Sequence, residues 1–473
     1  IKPKEELLKK VKLSSKKVYS QKLLQEDLRT IRSDYADQGY AYARVEPDIK
    51  EHKEANLVDI DYQITKNKLV YFERISIVGN DKSRDKVIRR ELKVVEGGLF
   101  SAEDLRQSAM NLRRLQYFQN ADIIPSQGSE DDKMNLKVEV KEQPTGAFSV
   151  GAGYSSFNQV FGMVRVSQNN FRGTGQKLSV QATLGGRTTE YDLSFTEPWL
   201  FDIPLSAGFD IFRQTVEYDE FDKKSIGFSL RASYPIWEYL RVSGRYMLEN
   251  IEVTDISDAA SPLIKEIAGE SVTSLITFVL MRDTRDRFFN PTQGSVNSLT
   301  IDYAGGLLGG TNSFTRYVAN SGWYIPTFWE GFTFFVRGRA GYAMEGEDGR
   351  FPAYEKFYLG GINSLRGFKW ATVTPRDPVT NEKLGGEKMV LFNLEFIFPV
   401  IKEAGFMGVV FFDQGNVWSK DQDYNLGDLR RSYGIGIRYY SPFGPLRLEW
   451  GQVIDPRAGE PTSNLEFSVG TFF

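Results

Sequence analysis

The sequence predicts a membrane β-barrel of about sixteen antiparallel strands, preceded by small α+β modules. The last ten residues, 464–473, are apolar and aromatic, are typical of a strand, and end with the chain. Such a bare strand would invite aggregation at the edge of a soluble sheet, whereas a closed barrel pairs it. From about residue 145 onward, apolar and polar residues alternate between turn signals. The sequence contains no run of about 18 apolar residues, so it does not predict a helical membrane span.

Composition narrows the possible functions. The 473 residues carry a net charge of −3, so neither a basic stripe for nucleic acid nor an acidic tail is indicated. The chain has no cysteine, which excludes disulfide frameworks and thiolate chemistry. The one histidine, His52, lies in a charged stretch and is expected to be a solvated surface residue, because a lone histidine makes no metal site.

The first 143 residues contain a repeat of roughly 77 residues. Glu26–Arg29 matches Glu103–Arg106, and each segment is expected to open a helix. Residues 57–62 match 136–141, and both show the alternation of strands. A leading strand at 70–78 completes a β-α-α-β-β unit in the second copy, so the first copy would need its equivalent before Ile1. We therefore expect modules at 1–69, truncated at its N-terminus, and 70–143, with further copies preceding Ile1 in the native protein.

Residues 145–473 are expected to form the barrel. Leu446, Leu448 and Trp450 flank Arg447 and Glu449, which suits a wet lumen and an apolar exterior. A soluble β-sandwich or propeller is the alternative, but its inward positions should be apolar. Many alternate connections carry proline and should form short turns on one rim: Pro198, Pro235, Pro291, Pro326, Pro399 and Pro442. The longer loops, 253–269 and 343–386, should lie on the other rim.

The segment 361–368 (GINSLRGF) resembles the tip of the long loop in the outer-membrane assembly superfamily. The modules are then similar to polypeptide-transport-associated (POTRA) domains. The segments 411–418 (FFDQGNVW) and 393–399 (NLEFIFP) also resemble barrel segments of this superfamily. The similarity covers essentially the whole chain. The loop tip alone is only moderately specific for this superfamily. The loop tip, the segment 411–418, the modules and the terminal strand, found together in this order, are highly specific for it.

The resemblance implies that the long loop folds into the lumen, where Arg366 pairs with acids of the inner wall. A solvated loop arginine is the alternative. Strand parity supports pairing, because Glu395 shares a face with Asn393, and a lipid-facing Asp413 would be costly. An arginine fork can engage two carboxylates. We expect a structural latch, not a catalytic set, made of Arg366, Gly367, Phe368, Glu395, Asp413 and Gly415.

The resemblance also implies a lateral gate between segments 146–154 and 464–473. Glycines interrupt side-chain packing in strands, although glycine is also simply common in barrels. An open gate would expose the first strand to an incoming strand, which adds by β-augmentation. The expected gate residues are Gly146, Phe148, Gly151, Gly153, Phe467, Gly470 and Phe473.

The function implied is that of the central subunit that folds and inserts outer-membrane β-barrel proteins without a nucleotide. Expected partners are unfolded outer-membrane proteins, accessory lipoproteins, periplasmic chaperones and the lipid bilayer, with no cofactor and no nucleic acid. The modules should lie in the periplasm of a Gram-negative bacterium, where strands 57–62 and 136–141 would offer edges to clients. The alternative is a superfamily relative: a translocation-assembly factor or a two-partner-secretion transporter. A passive porin is disfavoured by the long loop and the modules.

Other motifs carry little weight. Segment 173–177 (GTGQK) lacks the spacing of a phosphate loop, and the charged run 282–287 is expected to be a solvated turn. No Ser/His/Asp set or metal-ligand cluster is evident in the sequence, so we do not expect an enzyme.

Overall fold

The computed structural model describes residues 4–13, 18–155, 159–258, 260–347, 349–441 and 444–469. The chain divides into two compact units. The first holds residues 1–146 together with 169–176, and the second holds 147–168 and 177–473. In the described part of the chain, no helix has the length and apolar character needed to cross a membrane.

The first module consists of helices α1 (Lys4–Leu8) and α2 (Gln21–Ala36) and the antiparallel strands β1 (Arg44–His52) and β2 (Leu57–Thr65). Helix α2 buries one face because its apolar residues recur three and four positions apart. Leu24, Leu28, Ile31 and Tyr35 on that face pack with Val45 of β1. The buried Asp27 on the same helix accepts hydrogen bonds from the backbone of Lys12 and Leu13.

The second module is complete: β3 (Tyr71–Val78), α3 (Asp85–Arg89), α4 (Ala102–Arg114), β4 (Phe118–Gln127) and β5 (Lys133–Glu142). Helix α4 begins at the cap residue Ser101, whose hydroxyl accepts a hydrogen bond from the backbone of Asp104 (3.1 Å). Val87, Ile88 and Leu112 from the two helices pack onto the sheet at Leu136 and Val138.

The strand order of this module is β3-β5-β4, with β5 parallel to β3 and antiparallel to β4. The expectation that residues 136–141 form an open edge is therefore wrong, because β5 is hydrogen-bonded on both sides. The sequence could not reveal this, since alternation reports which face of a strand is buried and not how many neighbours it pairs with.

The acid at the end of β5 ties the sheet to the segment between β3 and α3. Glu142 accepts hydrogen bonds from the backbone of Lys82 (2.9 Å) and Ser83 (2.6 Å). Partial burial acts to raise the pKa of Glu142, but the hydrogen bonds from Ser83 and Lys82 outweigh it, so its pKa lies below the ordinary glutamate value. A depressed pKa stabilises the fold above the unfolded-state pKa, and this stabilisation is lost as the pH falls through the folded-state pKa.

We expect Glu142→Gln to loosen the segment 79–92 at neutral pH, because the amide is a weaker acceptor than the carboxylate. The difference from the wild type should shrink as the pH falls from about 7 to about 3, where the native carboxylate becomes protonated. Hydrogen exchange of the full chain in detergent, corrected for intrinsic rates, measures this. The exposed Glu139→Gln on the same strand is the control. A difference that persists unchanged at acidic pH would contradict the assignment.

Sixteen antiparallel strands close into one barrel in sequence order, which confirms the predicted fold class. The strands are β6 (Gly146–Ser155), β7 (Gln159–Phe171), β8 (Gln176–Gly185), β9 (Thr188–Glu197), β10 (Ser206–Glu217), β11 (Asp222–Trp237), β12 (Leu240–Thr254), β13 (Gly269–Asp283), β14 (Gly294–Ala304), β15 (Phe314–Pro326), β16 (Thr333–Glu345), β17 (Lys388–Ile401), β18 (Phe406–Trp418), β19 (Arg430–Ser441), β20 (Gly444–Ile454) and β21 (Ser463–Val469). A short helix, α5 (Pro262–Lys265), lies between β12 and β13.

Burial follows the alternation along the strands. Glu449 is 1% exposed, whereas its neighbours Leu448 and Trp450 are 44% and 37% exposed. Likewise, Ser229 is buried between the exposed Phe228 and Leu230. Polar side chains therefore line the interior and apolar side chains form the outer surface, as a barrel in lipid requires.

Candidate functional site

The long connection between β16 and β17 packs against the inside of the barrel wall. Phe357, Leu359 and Leu365 of this connection are buried and share an apolar cluster with Leu391 of β17 and Val417 of β18. The segment makes few regular backbone pairings, so this cluster and the polar contacts described next determine its path.

Arg366 at the tip of the connection is saturated by three wall carboxylates. Its guanidinium engages Asp413 with two bonds, Nε to Oδ2 and Nη2 to Oδ1, both 2.7 Å. Its Nη1 donates to Glu395 Oε1 (2.6 Å) and Glu449 Oε2 (2.9 Å). The Cζ atom of the guanidinium lies 3.6 Å from the ring centre of Phe411, which is a cation–π contact. The structure thus brings together Arg366, Glu395 and Asp413, the three residues expected to pair.

Sequence reasoning missed three members of this network: Glu449, Arg438 and Arg447. Arg438 donates to Glu395 (2.8 and 2.9 Å) and to Glu449 (2.7 Å), and Arg447 donates to Glu449 (2.9 and 3.1 Å). With these residues, three guanidiniums face three carboxylates, which explains how so many buried charges coexist. Parity marks each of them as an inward charged position flanked by apolar residues on β19 or β20, but it does not indicate which inward charges meet one another or the loop.

Arg447 also holds the loop tip directly. Its Nη1 donates to the side chain of Asn363 and its Nη2 to the carbonyl of Ile362, both at 2.9 Å. From β17, Asn393 donates to the carbonyl of Ser364 and to Asp413, both at 2.8 Å. The tip is therefore bound through its backbone as well as through Arg366.

Close packing leaves no room for a side chain at the glycines of the predicted latch. Gly367 has φ +87°. It also packs against Gly451 of β20: a Cβ added at Gly451 would lie only 2.6 Å from the backbone nitrogen of Gly367. At Gly415 a Cβ would lie 2.6 Å from the carbonyl of Val390 on the neighbouring strand β17 and 3.0 Å from Cδ1 of Leu359 in the loop. These positions allow the loop and the wall to approach closely. Phe368 is buried in the same apolar cluster, under the guanidinium of Arg430 at 5.3 Å.

The seam joins the last strand, β21, to the first barrel strand, β6. Strand β20 pairs with β21 from Leu446–Val469 to Gln452–Ser463, and among the described residues β21 pairs with β6 at Ser468 and Ser155. Beside that pair, the rings of Tyr154 and Phe467 lie 6.1 Å apart on the outer side.

The expected gate residues fall at different places along this seam. Gly146 begins β6, and Phe148 is exposed. Gly151 has room for a side chain, whereas at Gly153 a Cβ would lie 2.1 Å from the ring of Phe161 and 2.6 Å from the carbonyl of Val469. Gly153 is therefore needed for β6 to lie close to Phe161 and to the backbone of β21, whereas the sequence predicted only that glycine would weaken side-chain packing there. Gly470 and Phe473 lie outside the described residues.

Comparison with known proteins places these features in a family. The Omp85 superfamily domain matches residues 170–473, and the POTRA family, described as a surface antigen variable number repeat, matches residues 1–67 and 70–143. The outer membrane protein assembly factor BamA of Nitratidesulfovibrio vulgaris is 36% identical over 99% of this chain and 60% of its own length. BamA of Neisseria meningitidis serogroup B is 26% identical over 100% of this chain and 65% of its own length.

The solved structure of BamA from Haemophilus ducreyi lacking POTRA domains 1–3 has the same fold. The TM-score is 0.77 at 22% identity, covering 98% of this chain and 96% of that chain. The present chain spans about three fifths of the length of the curated relatives it matches. With the superfamily domain matched over most of the barrel and POTRA repeats before it, the chain belongs to the Omp85 superfamily.

Proposed function

We propose that this protein is the central subunit of the machinery that folds and inserts β-barrel proteins into the outer membrane of a Gram-negative bacterium. The observation that carries the proposal is the architecture: a closed barrel in which β21 adjoins β6, with the tip of the long loop bound to the inner wall and α+β modules preceding the barrel in the chain. The relatives that match nearly the whole chain are named as outer membrane protein assembly factors, which supports the same function.

The seam acts in this proposal as a lateral gate. When β6 and β21 separate, backbone N–H and C=O groups of β6 are free to pair with a strand of an unfolded client. Unsatisfied backbone groups are costly within the bilayer. A client strand that pairs with β6 therefore replaces the hydrogen bonds that β6 lost when it separated from β21. Pairing and burial of the client supply the free energy, so no nucleotide is needed.

The network around Arg366 acts as the latch that keeps the loop against β17 to β20. The wall carboxylates lie on β17, β18 and β20, so the loop tip bridges strands close to the seam while β21 carries none of these bonds to Arg366. This arrangement gives a rigid wall on one side of the seam, against which the first strand can move.

The modules receive clients and accessory lipoproteins at a sheet edge in the periplasm. In the second module the edge is β4, because its outer side pairs with no other strand in the described part of the chain. The other edge, β3, is occupied: the backbone N–H of Ile75 donates to Glu96 and its carbonyl accepts from Arg89. Strand β4 contains Pro125, a residue tolerated at sheet edges.

Depletion of the protein in cells tests the proposal. We expect outer-membrane porins to remain unfolded and to be degraded in the periplasm, while soluble periplasmic proteins accumulate normally. Re-expression of the wild-type gene should restore porin assembly. Porins that assemble at their normal rate in depleted cells would overturn the proposal, and retention of one secreted protein instead would favour a transporter.

A further inference from the structure

The last strand, β21, carries a buried acid that the latch does not use. Glu466 is 2% exposed, and it lies directly across from Glu449 of β20, which is 1% exposed. Side chains in such a cross-strand pair project from the same face of the sheet, with Cβ atoms about 4.5–5.5 Å apart. Two carboxyl groups therefore lie side by side within the inner wall.

The guanidiniums nearby are committed to other acceptors. Each oxygen of Glu449 accepts two bonds, and the donors are Arg366, Arg438 and Arg447. Arg447 also donates to the tip of the long loop. Among the described residues, Glu466 forms no ion pair within 4.0 Å, and its Oε2 has no hydrogen-bond partner. The network therefore leaves the carboxyl group of Glu466 unmatched.

The groups that face Glu466 come from the elements on either side and from the loop. Strand β20 contributes Arg447 and Glu449, and the loop contributes Arg366 and the backbone N–H of Ile362. Strand β6, which adjoins β21 on its other side, has no charged residue (GAFSVGAGYS). Burial is the main cost for an ionised Glu466, and Glu449 adds repulsion. The attraction of Arg366 and Arg447 offsets only part of this cost, because both guanidiniums already bond to Glu449.

We propose that Glu466 lowers the stability of the closed position of β21 and so makes the last strand ready to leave the latched wall. The inference rests on the proposed function, in which the seam opens to admit a client strand. Separation of β21 from β20 gives the carboxylate access to water and takes it away from Glu449. The latch keeps its three guanidiniums and three carboxylates, because none of these six residues lies on β21.

Glu466→Gln removes the charge at nearly constant volume. Hydrogen exchange of residues 463–469 in the full chain in non-ionic detergent, corrected for intrinsic rates, measures the opening of β21. At about pH 8.5 the wild type should exchange about tenfold or more faster than the variant, as expected for a buried group without a partner. At about pH 5.5 the difference should disappear, because a protonated Glu466 carries no charge. Glu466→Met should protect β21 in the same way, so the result does not depend on the amide.

A matched control is the exposed pair Glu252 and Glu270, which lie opposite one another on β12 and β13. Water and salt screen the charges of this pair. Glu252→Gln should therefore change the exchange of its own strand by less than about twofold at either pH.

Insertion of an unfolded β-barrel protein into phosphatidylcholine vesicles that contain the full chain tests the role in gating. At the higher pH, both Glu466 variants should insert this client several-fold more slowly than the wild type. A wild type that inserts no client refutes the proposed function, and with it the gating role, even where the exchange rates are as expected. Equal exchange of β21 in the wild type and both variants at the higher pH overturns the inference alone. Wild-type insertion by a variant whose β21 is protected does so as well.

Discussion

Arg366→Leu should release the long loop from the barrel wall and destabilise the barrel by roughly 3–5 kcal/mol, the usual cost of removing one partner from a buried ion pair. The substitution leaves Glu395, Asp413 and Glu449 with only two guanidiniums, and it strips Asp413 of both of its side-chain arginine bonds. Limited proteolysis of the loop 343–386 and denaturant unfolding in detergent measure the two effects.

Two further variants separate charge from folding defects. Lys369→Leu changes an exposed cation of the same loop that is outside the network, and it should behave as the wild type in both measurements. Arg366→Gln combined with Asp413→Asn restores the charge balance, so it should be more stable than Arg366→Gln alone. If Arg366→Leu leaves the loop protected and the barrel as stable as the wild type, the network does not act as a latch.

Ser155→Cys with Ser468→Cys should abolish client insertion under oxidising conditions and restore it on reduction. The two residues form the backbone pair at the seam, and opposite residues of antiparallel strands have Cα distances within reach of a disulfide. In the same register, Val469 lies opposite Tyr154. The chain contains no cysteine, so the bond has no competitor.

A matched control exists on two strands remote from the seam. Ser233 and Ser243 pair on β11 and β12, with their hydroxyls 2.8 Å apart. Ser233→Cys with Ser243→Cys makes the same chemical change and should leave insertion intact when oxidised. Porin assembly in growing cells, followed with and without reductant, is the readout. Normal assembly with the seam fully crosslinked would exclude a lateral route through this seam.

Strand parity predicted the inner wall well because burial in a barrel depends only on a two-residue period. Glu395 and Asp413 are buried and inward, as their apolar neighbours indicated. Glu449 stands in the same kind of pattern, but nothing local distinguishes an acid that meets Arg366 from one that meets water. That distinction depends on where a loop more than 80 residues earlier in the chain comes to rest.

By itself, the sequence determined the barrel, its sixteen strands and the face that each side chain takes, and these follow from local alternation and turn residues. The resemblance to the outer-membrane assembly superfamily implied the pairing of Arg366 with acids of the wall, and the high cost of a lipid-facing charge supported it. Only the tertiary structure decided that β5 is a central strand, that Arg438, Arg447 and Glu449 complete the charge network, and that the seam register pairs Ser155 with Ser468. These facts depend on which distant strands become neighbours, and a period along one strand carries no information about its partner.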